Sequence, residues 1–348
     1  MQQPFWLQGD ESAHDVVLSS RYRLARNLPG QPFPGRSDWR SRVQVAALVE
    51  RAVKHEFPHW KVLKGEELSP LIREVFFEKH LISAHLKDNP EGTLVILSPE
   101  ARFAILVNEE DHLRFQFLLP GFQLAGAWRE LLKVESRLER LLGFAFHEQY
   151  GYLTSCLTNV GTGLRVSVML HLPALGVAGS LPATLNNWPD KGIEFRGMFG
   201  EGSSLGEGFV QLSNKVTLGS DIPTLNSRVL CSADELIALE RRARTELVTH
   251  FTTKVTDSVH RALALLSEAR LMSSAEATMH LSAVRLGACL GILPQFPVRY
   301  LLRLLVGMRP GHLQLQAGRF LEPHERDENR ATFIRSQIRN LVEDKRDG

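Results

Sequence analysis

The sequence predicts an α+β fold, in which an antiparallel sheet flanked by helices precedes a small all-α domain. Short apolar runs between turn residues predict strands over residues 15–120, and apolar residues at helical spacing predict helices beside them. From about residue 245 onward the pattern is helical only. With 348 residues the chain can form one large and one smaller domain, which we predict over residues 1–244 and 245–348.

The first part of the chain supplies most of the predicted sheet. Residues 15–21 predict a short strand that ends in polar residues, and residues 41–56 predict a helix with one apolar face. Residues 93–97 and 102–107 predict a hairpin. Residues 112–119 are expected to return as a third antiparallel strand.

A helix, a strand and a glycine-rich segment are predicted to follow. The helix is amphipathic, and its buried stripe consists of Trp128, Leu131, Leu132, Leu138, Leu141 and Leu142. Residues 164–172 predict a further strand. Residues 195–212 contain five glycines, so we expect a mobile loop that can approach a ligand closely.

Two capping boxes predict where helices begin in the last third of the chain. Ser232 is followed by Glu235, and Ser273 by Glu276. At this spacing the serine caps the helix and the glutamate reaches back to it. We therefore expect helices to start at these two serines.

Composition and charge exclude several classes of protein. The hydrophobic content of 43% and charged content of 23% are typical of globular proteins, and a net charge of +2 gives no global attraction for nucleic acid or membranes. The cysteines Cys156, Cys231 and Cys289 lie far apart, as expected in a reducing compartment. Neither a signal peptide nor an apolar stretch approaching about 18 residues is present. We expect a soluble cytoplasmic protein without direct nucleic-acid or membrane contacts.

A cluster of acidic residues follows the apolar run at residues 103–107. Glu109, Glu110 and Asp111 come at the end of this predicted strand, where side chains are held rigidly yet exposed. Paired carboxylates there could act as a general base, clamp a cation or bind a metal. A solvated turn is the other interpretation, and the run alone does not decide.

Five arginines stand at predicted strand ends or beside glycines: Arg21, Arg23, Arg114, Arg165 and Arg196. Alternation along an extended segment places Arg21 and Arg23 on the same face. Forked guanidiniums bind phosphate oxygens bidentately and stabilise a phosphoryl group in transfer. Taken singly, each arginine could equally be a surface charge, and no GxxxxGK[ST] or GxGxxG loop is present.

Four segments together resemble the phosphagen (guanidino) kinase family. They are SSRYRLARN at residues 19–27, NEEDHLR at 108–114, TSCLTNVGTG at 154–163 and Arg196-Gly197. Within that family the chain is most similar to the bacterial branch that phosphorylates arginine side chains of proteins. This similarity is carried by EKHLIS at 78–83, LPG at 119–121, LHLPAL at 170–175, GEGS at 200–203 and RDENRA at 326–331, which fits the RDxxRA motif of the branch.

The resemblance implies a catalytic domain of the phosphagen-kinase type with ATP and Mg²⁺ as cofactors. It implies that Glu110 is the general base, Glu201 a second carboxylate for the guanidinium, and Cys156 the active-site cysteine. Glu109 would position Mg²⁺ through water, and no zinc-type ligand spacing is present. The implied ATP-binding residues are Ser19, Ser20, Arg21, Tyr22, Arg23, His80, Arg114, Arg165, Val166, Ser167, Val168, Met169, Arg196, Gly197, Met198, Phe199 and Gly200. The implied residues of a separate, allosteric phosphoarginine-binding site are Arg326, Asp327, Arg330 and Ala331.

Some positions in these motifs keep two interpretations. Cys156 could carry a reactive thiolate or be a buried structural cysteine. Leu157 stands where the family often has proline, which loosens the backbone around Cys156. Asp111 and His112 are expected to make local hydrogen bonds, and His312 to be an ordinary surface residue.

The expected substrate is a protein. The short segment before the first strand leaves no room for the helical domain that encloses free guanidino substrates in other family members. The resemblance implies arginine-containing protein substrates, a zinc-finger activator protein and the Clp ATPase/protease system of the stress response as partners, and the helical domain could supply a homodimer contact. The alternatives are a kinase for a free guanidino metabolite and a non-catalytic phosphoarginine-binding adaptor. By itself the RDENRA segment is also typical of a solvated helix face.

Overall fold

The centre of the molecule is an eight-stranded sheet in which all neighbouring strands are antiparallel. The computed structural model describes residues 5–8, 15–198 and 208–343. In chain order the strands are β1 (Val17–Arg26), β2 (Lys61–Lys64), β3 (Leu94–Leu97), β4 (Phe103–Val107), β5 (Leu113–Pro120), β6 (Phe146–His147), β7 (Gly151–Tyr152), β8 (Leu164–His171), β9 (Ile193–Gly197) and β10 (Phe209–Asn214). The sheet order is β2-β3-β4-β5-β1-β8-β10-β9, and β6 and β7 form a separate hairpin.

Helices flank this sheet and form the C-terminal region. In chain order they are α1 (Trp39–Glu56), α2 (Pro70–Glu78), α3 (Ala84–Asp88), α4 (Trp128–Leu142), α5 (Pro173–Val177), α6 (Leu181–Asn186), α7 (Ile222–Glu268), α8 (Ser274–Cys289), α9 (Val298–Gly307), α10 (Pro310–Ala317) and α11 (Pro323–Glu343). Helix α1 packs on α4, and α7 packs on β8 and on α8. The predicted α+β class with a helical C-terminal region is confirmed.

Strand β1 shows how the sheet separates its two faces. Tyr22 and Leu24 are fully buried among apolar residues on one face. The Tyr22 hydroxyl lies 2.9 Å from the carbonyl oxygen of Leu124 and 2.7 Å from Asn226 Oδ1 of α7, so it ties the helix to the sheet. Successive side chains of a strand point to opposite faces, so Arg21 and Arg23 lie on the other face. That face carries the candidate site.

Most of the elements expected from periodicity are present. Helix α1, the hairpin of β3 and β4, strand β5, helix α4 and strand β8 coincide with their predictions to within a few residues. Ser273 caps α8 as expected, because its hydroxyl accepts the backbone N–H of Glu276 at 3.2 Å. The buried stripe predicted for α4 is wrong at Leu141, which is 48% exposed, whereas Leu131 and Leu138 are buried as expected.

The predicted loop over residues 195–212 is wrong at both of its ends. Residues 193–197 form β9 and residues 209–214 form β10, and the two strands pair with each other. Phe195 packs edge-on against Trp188 at 5.8 Å between ring centroids, so tertiary packing outweighs the glycine content. Residues 199–207 lie outside the described residues.

The helix start predicted at Ser232 is also wrong. Helix α7 begins at Ile222, and Asp221 caps it by accepting the backbone N–H of Thr224 at 2.8 Å. Ser232 is fully buried inside the helix, in line with apolar residues that begin at Leu225.

Helix α7 passes through the predicted domain boundary. It contains 47 residues and departs from helical geometry at Phe251, where φ is −133° and ψ is 25°. The boundary between residues 244 and 245 stays a prediction. In the described part of the chain, no helix combines the length and apolar character needed to cross a membrane.

Candidate active site

Five arginine side chains gather on one face of the sheet. They are Arg21 and Arg23 on β1, Arg114 on β5, Arg165 on β8 and Arg196 on β9. Arg23 pairs directly with Arg165, and Arg114 pairs with Ala25, two residues along β1 from Arg23. Directly paired residues of antiparallel strands point to the same face, so pairing brings together residues that are far apart in sequence.

Glu194 binds two of these arginines. It lies two residues before Arg196 on β9, so both side chains point to the same face. Its carboxylate contacts the Arg165 guanidinium and accepts a hydrogen bond from Arg196 Nη2 at 3.1 Å. Arg21 Nη2 donates to Gln211 Oε1 of β10 at 2.8 Å. Together, Glu194 and Gln211 hold three of the five guanidiniums in fixed orientations.

Burial and mutual repulsion disfavour the charges in this cluster. Burial, with Arg114 and Arg165 nearby, lowers the pKa of Arg21 to about 10. Burial and the neighbouring arginines also lower the pKa of Arg23 far below its ordinary value. Arg23 Nε is buried and has no hydrogen-bond partner within the described residues. A bound anion would relieve both effects, so this face fits a polyphosphate.

The acidic run forms a tight turn between β4 and β5. Asn108 is fully buried at φ +57°, and its Nδ2 donates to the carbonyl oxygens of Arg42 at 2.7 Å and Gly92 at 2.8 Å. Glu109, only 3% exposed, accepts hydrogen bonds from Arg114 Nη1 at 2.7 and 2.6 Å. Burial raises the pKa of Glu109, but Arg114 and a hydrogen bond from Ser83 outweigh burial, so its pKa lies below the ordinary value. Glu109 thus stays ionised and orients Arg114.

Glu110 differs from Glu109 because its side chain is exposed. Partial desolvation raises the pKa of Glu110, and the carboxylates of Asp111 and Glu109 add to the increase. Arg114 and Arg165 act in the opposite direction and do not cancel it. An exposed carboxylate with a raised pKa beside a cationic cluster suits a general base better than Glu109 does.

The cysteine loop is fastened to the acidic turn through Asp111. Asp111 Oδ1 accepts the backbone N–H of Ser155 at 2.7 Å and Asn27 Nδ2 at 2.7 Å. Cys156 is half-buried, with its Sγ 3.0 Å from Thr158 Oγ1. The local hydrogen bonds expected for Asp111 are confirmed. Ser155, the residue before Cys156, is bound to Asp111, so the acidic turn holds the backbone next to the cysteine.

His112 makes the local hydrogen bonds that were expected of it. Its Nδ1 lies 3.0 Å from the backbone nitrogen of Leu28, which donates to it. Its backbone N–H donates to Asn27 Oδ1 at 2.8 Å. The histidine therefore supports the acidic turn from the end of β1.

A pocket beside the arginine face contains His80. It is lined by Trp6, Leu18, Ser19, Arg21, His80, Leu118, Ser167, Met169, Met198 and Gln211. Burial, with Arg21 and Arg309 nearby, lowers the pKa of His80 to about 3, so the imidazole is neutral at pH 7. The cavity itself measures only about 20 Å³, and its lining combines apolar side chains with the Arg21 guanidinium. A ligand with an aromatic part and a polyanionic part would have to extend from this cavity across the arginine face.

Not every predicted nucleotide-binding residue points a side chain into this region. Ser20, Tyr22, Val166 and Val168 are buried on the opposite face, so only their backbone could contact a ligand on the arginine face. Gly197 ends β9 next to Arg196 and Met198. Glu201, Phe199 and Gly200 lie outside the described residues, and their roles stay predictions.

The described residues contain no cluster of side chains that could bind Mg²⁺ by themselves. Within residues 5–8, 15–198 and 208–343, no group of three or more His, Cys, Asp or Glu side chains could hold a metal ion. Glu109 offers the oxygen donors that Mg²⁺ prefers, but both oxygens accept from Arg114 and the side chain is buried. The predicted role of Glu109, which is to position Mg²⁺ through water, stays a prediction.

The RDENRA segment lies in the first half of α11. Arg330, 2% exposed, donates to the carbonyl oxygens of Met308 at 3.1 Å and Met272 at 2.8 Å, and to Asp327 Oδ1 at 2.5 Å. Ala331 is also buried, whereas Arg326 and Asp327 are half-buried. The interpretation as a solvated helix face is therefore wrong for Arg330 and Ala331. Phosphoarginine binding there stays a prediction.

Sequence reasoning missed two polar residues of the arginine face and misjudged one histidine. Glu194 could have been found from its spacing of two from Arg196 in a strand, but that segment was interpreted as a loop. Gln211 carries no comparable signal. His312 is not an ordinary surface residue, because its Nδ1 lies 2.6 Å from the buried Glu78 Oε2. Glu78 is far away in sequence, so no local pattern could reveal this contact.

Two family models together match most of the chain. Residues 44–243 match "ATP:guanido phosphotransferase, C-terminal catalytic domain", and residues 252–348 match "Protein-arginine kinase McsB C-terminal domain". The chain belongs to the protein-arginine kinase family. It is 41% identical over 345 residues to the protein-arginine kinase of Brevibacillus brevis, covering 97% of each chain. It is 40% identical over 348 residues to that of Geobacillus stearothermophilus, covering 99% of this chain and 96% of the relative.

Solved structures place the family fold among the phosphagen kinases. The chain superposes on the duplicated taurocyamine kinase of Schistosoma mansoni, solved with transition-state analogue components, with a TM-score of 0.60 and 23% identity. That match covers 69% of this chain and 36% of the duplicated kinase. Lombricine kinase matches with a TM-score of 0.58 and 21% identity, covering 69% of each chain. At these identities the likeness concerns the fold alone.

Proposed function

We propose that the protein transfers the γ-phosphoryl group of ATP to arginine side chains of proteins. The observation that carries the proposal is the arginine face with the exposed Glu110 at its edge, in a chain whose relatives are protein-arginine kinases. One half of the reaction needs cations for a polyphosphate, and the other needs a carboxylate for a guanidinium. Both kinds of group occur side by side here.

In the proposed reaction a guanidinium nitrogen of the substrate attacks the γ-phosphorus. The N–P bond forms, the bond from phosphorus to the β,γ-bridging oxygen breaks, and ADP leaves with the electron pair. A guanidinium has a pKa above about 12, so its nitrogen becomes a nucleophile only as a proton is removed. Glu110 takes that proton. Its raised pKa makes it a stronger base than an ordinary glutamate, which favours this proton transfer.

The arginines would bind the phosphates and stabilise the charge that develops on the transferred group. Mg²⁺, carried by the phosphates, supplies further charge neutralisation when bound. Glu109 and Glu194 orient the guanidiniums around the nucleotide. The base of ATP would lie at the mouth of the small cavity beside His80. Glu201 and Cys156 are proposed to hold the substrate guanidinium.

A protein substrate fits the exposure of the residues around the base. Glu110 is exposed, and Leu157, which follows Cys156, is 84% exposed. An arginine side chain that projects from a folded surface could therefore reach Glu110. Arg326 and Asp327 are the proposed reachable part of a phosphoarginine site through which product regulates the enzyme. Clp-directed degradation under stress and a zinc-finger activator are proposed from the family resemblance. A cytoplasmic location is proposed from the three scattered cysteines, and homodimer formation from the helical region.

The test is an ATP-dependent phosphorylation assay on an arginine-rich protein, analysed under conditions that preserve acid-labile N–P bonds. Phosphoarginine should form with wild type and be lost with Glu110→Gln, which keeps the shape of the side chain but removes its basicity. Free arginine offered in parallel separates a protein kinase from a kinase for a guanidino metabolite. If wild type binds ATP yet labels nothing even with an activator protein, the non-catalytic adaptor is the better interpretation.

A further inference from the structure

Two segments that are far apart in sequence meet at Glu78, beside the nucleotide pocket. Glu78 ends α2 and is 3% exposed. Its Oε1 accepts the backbone N–H of Gly311 at 2.6 Å, and its Oε2 accepts the backbone N–H of His312 at 3.0 Å. A carboxylate that accepts such N–H groups caps a helix and is stabilised by the helix dipole. Here the cap comes from another element, because α2 caps α10 of the helical region.

The geometry of this cap favours a glycine at position 311. A Cβ atom at Gly311 would lie 2.9 Å from Glu78 Oε2 and 3.0 Å from Glu74 Cγ. Both distances are shorter than normal carbon contacts, so a side chain at this position would push the carboxylate away. The close approach of α2 and α10 therefore depends on Gly311.

His80, two residues after Glu78, lines the pocket, and Lys79 between them binds Trp6, which also lines it. The carbonyl oxygen of Lys79 accepts the Trp6 indole N–H at 3.0 Å. The His80 ring lies 5.5 Å from the Trp6 ring, and both side chains line the pocket together with Arg21. His80 adopts φ +57°, a left-handed conformation that is unfavourable for a residue with a side chain. Surrounding contacts must hold the turn in this conformation.

We propose that Glu78 is a positioning residue for the nucleotide: by capping α10 it holds the Lys79–His80 turn, and with it Trp6, in the conformation that forms the pocket. Through this cap the helical region would affect ATP binding indirectly, because α10 contacts Glu78 and not the nucleotide. Arg309, the residue before α10, also faces His80 and adds positive charge on this side. The inference rests on the proposed function, because it names a residue that shapes the nucleotide site.

The experiment compares Glu78→Ala, Glu78→Gln and Gly311→Ala with wild type in the full chain. ATP affinity is measured by tryptophan fluorescence, with Trp6→Phe identifying the part of the signal that comes from the pocket. Steady-state assays give kcat and the KM values for ATP and for the protein substrate. The control is Ser273→Ala, which removes a helix cap of α8 in the same region without touching α2.

Glu78→Ala and Gly311→Ala should each raise the Kd and the KM for ATP about tenfold, as expected when a cap of this kind is lost. The kcat and the KM for the protein substrate should change much less. Glu78→Gln keeps one acceptor oxygen and should give an intermediate effect. Ser273→Ala should lower stability and leave the Kd for ATP unchanged.

The proposal is overturned if Gly311→Ala and Glu78→Gln bind ATP as tightly as wild type, or if Ser273→Ala weakens ATP binding equally. Should Glu78→Ala not fold, Gly311→Ala and Glu78→Gln decide the question at low temperature. A wild-type protein that binds no ATP would instead contradict the proposed function.

Discussion

Replacing Asp111 with alanine should release the loop that carries Ser155 and Cys156 and lower the global free energy of unfolding by a smaller amount than the two lost hydrogen bonds would suggest. The carboxylate accepts two hydrogen bonds of 2.7 Å, from Asn27 Nδ2 and the Ser155 backbone N–H. Hydrogen bonds to a charged group contribute about 1.5–3 kcal/mol each. In the variant, Asn27 Nδ2 still donates to the Leu153 carbonyl oxygen at 3.1 Å. The backbone N–H of Ser155, an exposed residue, can donate to water instead. We therefore expect a loss of about 2–3 kcal/mol, below the sum of the two bonds.

Urea unfolding measures the global loss, and amide hydrogen exchange at Ser155 measures local opening of the loop. Ser155 should lose protection, and kcat should fall because Cys156 is no longer held near the acidic turn. Asp111→Asn is the matched variant, since it keeps an acceptor oxygen and should lose about 1 kcal/mol. If alanine at position 111 left Ser155 protected and kcat unchanged while stability fell, the proposed link between turn and loop would be refuted.

Three further predictions concern the base, a buried ion pair and a strained turn. Because the pKa of Glu110 is raised above the ordinary glutamate value, kcat/KM should decline as the pH falls through that raised pKa, and a pH–rate profile checks this. Glu135→Ala should lower the free energy of unfolding in urea by about 3–5 kcal/mol, because Arg26, 1% exposed, loses the carboxylate that lies 2.8 Å from its Nε. Adding Arg26→Met removes the buried charge and should recover most of the loss. Asn108→Gly should lower stability by about 2 kcal/mol through two lost hydrogen bonds, whereas Glu100→Gly, also at positive φ but exposed, should raise it by up to about 1 kcal/mol; thermal unfolding of both variants tests the contrast.

The sequence predicted the elements whose patterns are local. Helix α4 carries a sharp apolar stripe, and the hairpin of β3 and β4 has two apolar runs with a turn between them, so periodicity alone identified both. Helix α7 shows the opposite case. Its true cap, Asp221, has no glutamate three residues later, so the capping-box pattern at Ser232 gave a stronger but false signal.

The candidate site could be predicted in its residue types but not in its contacts. Strand alternation alone put Arg21 and Arg23 on one face. That Arg165 faces Arg23 depends on the register between β1 and β8, which involves residues more than a hundred positions apart. The contact of Glu78 with His312 depends on tertiary packing in the same way. Information of this kind lies in the packing of whole elements and leaves no trace in a short window of sequence.

The crowding of guanidiniums on one sheet face makes the folded protein sensitive to the salt it is dissolved in. Holding these like charges together costs free energy, and any small oxyanion that binds among them returns part of that cost. Sulfate or phosphate in a buffer would therefore raise the melting temperature and, by occupying the same guanidiniums, weaken the apparent affinity for nucleotide. Affinities measured in chloride and in phosphate should differ for this reason alone. In a cell, free phosphate would then compete with ATP for the same guanidiniums.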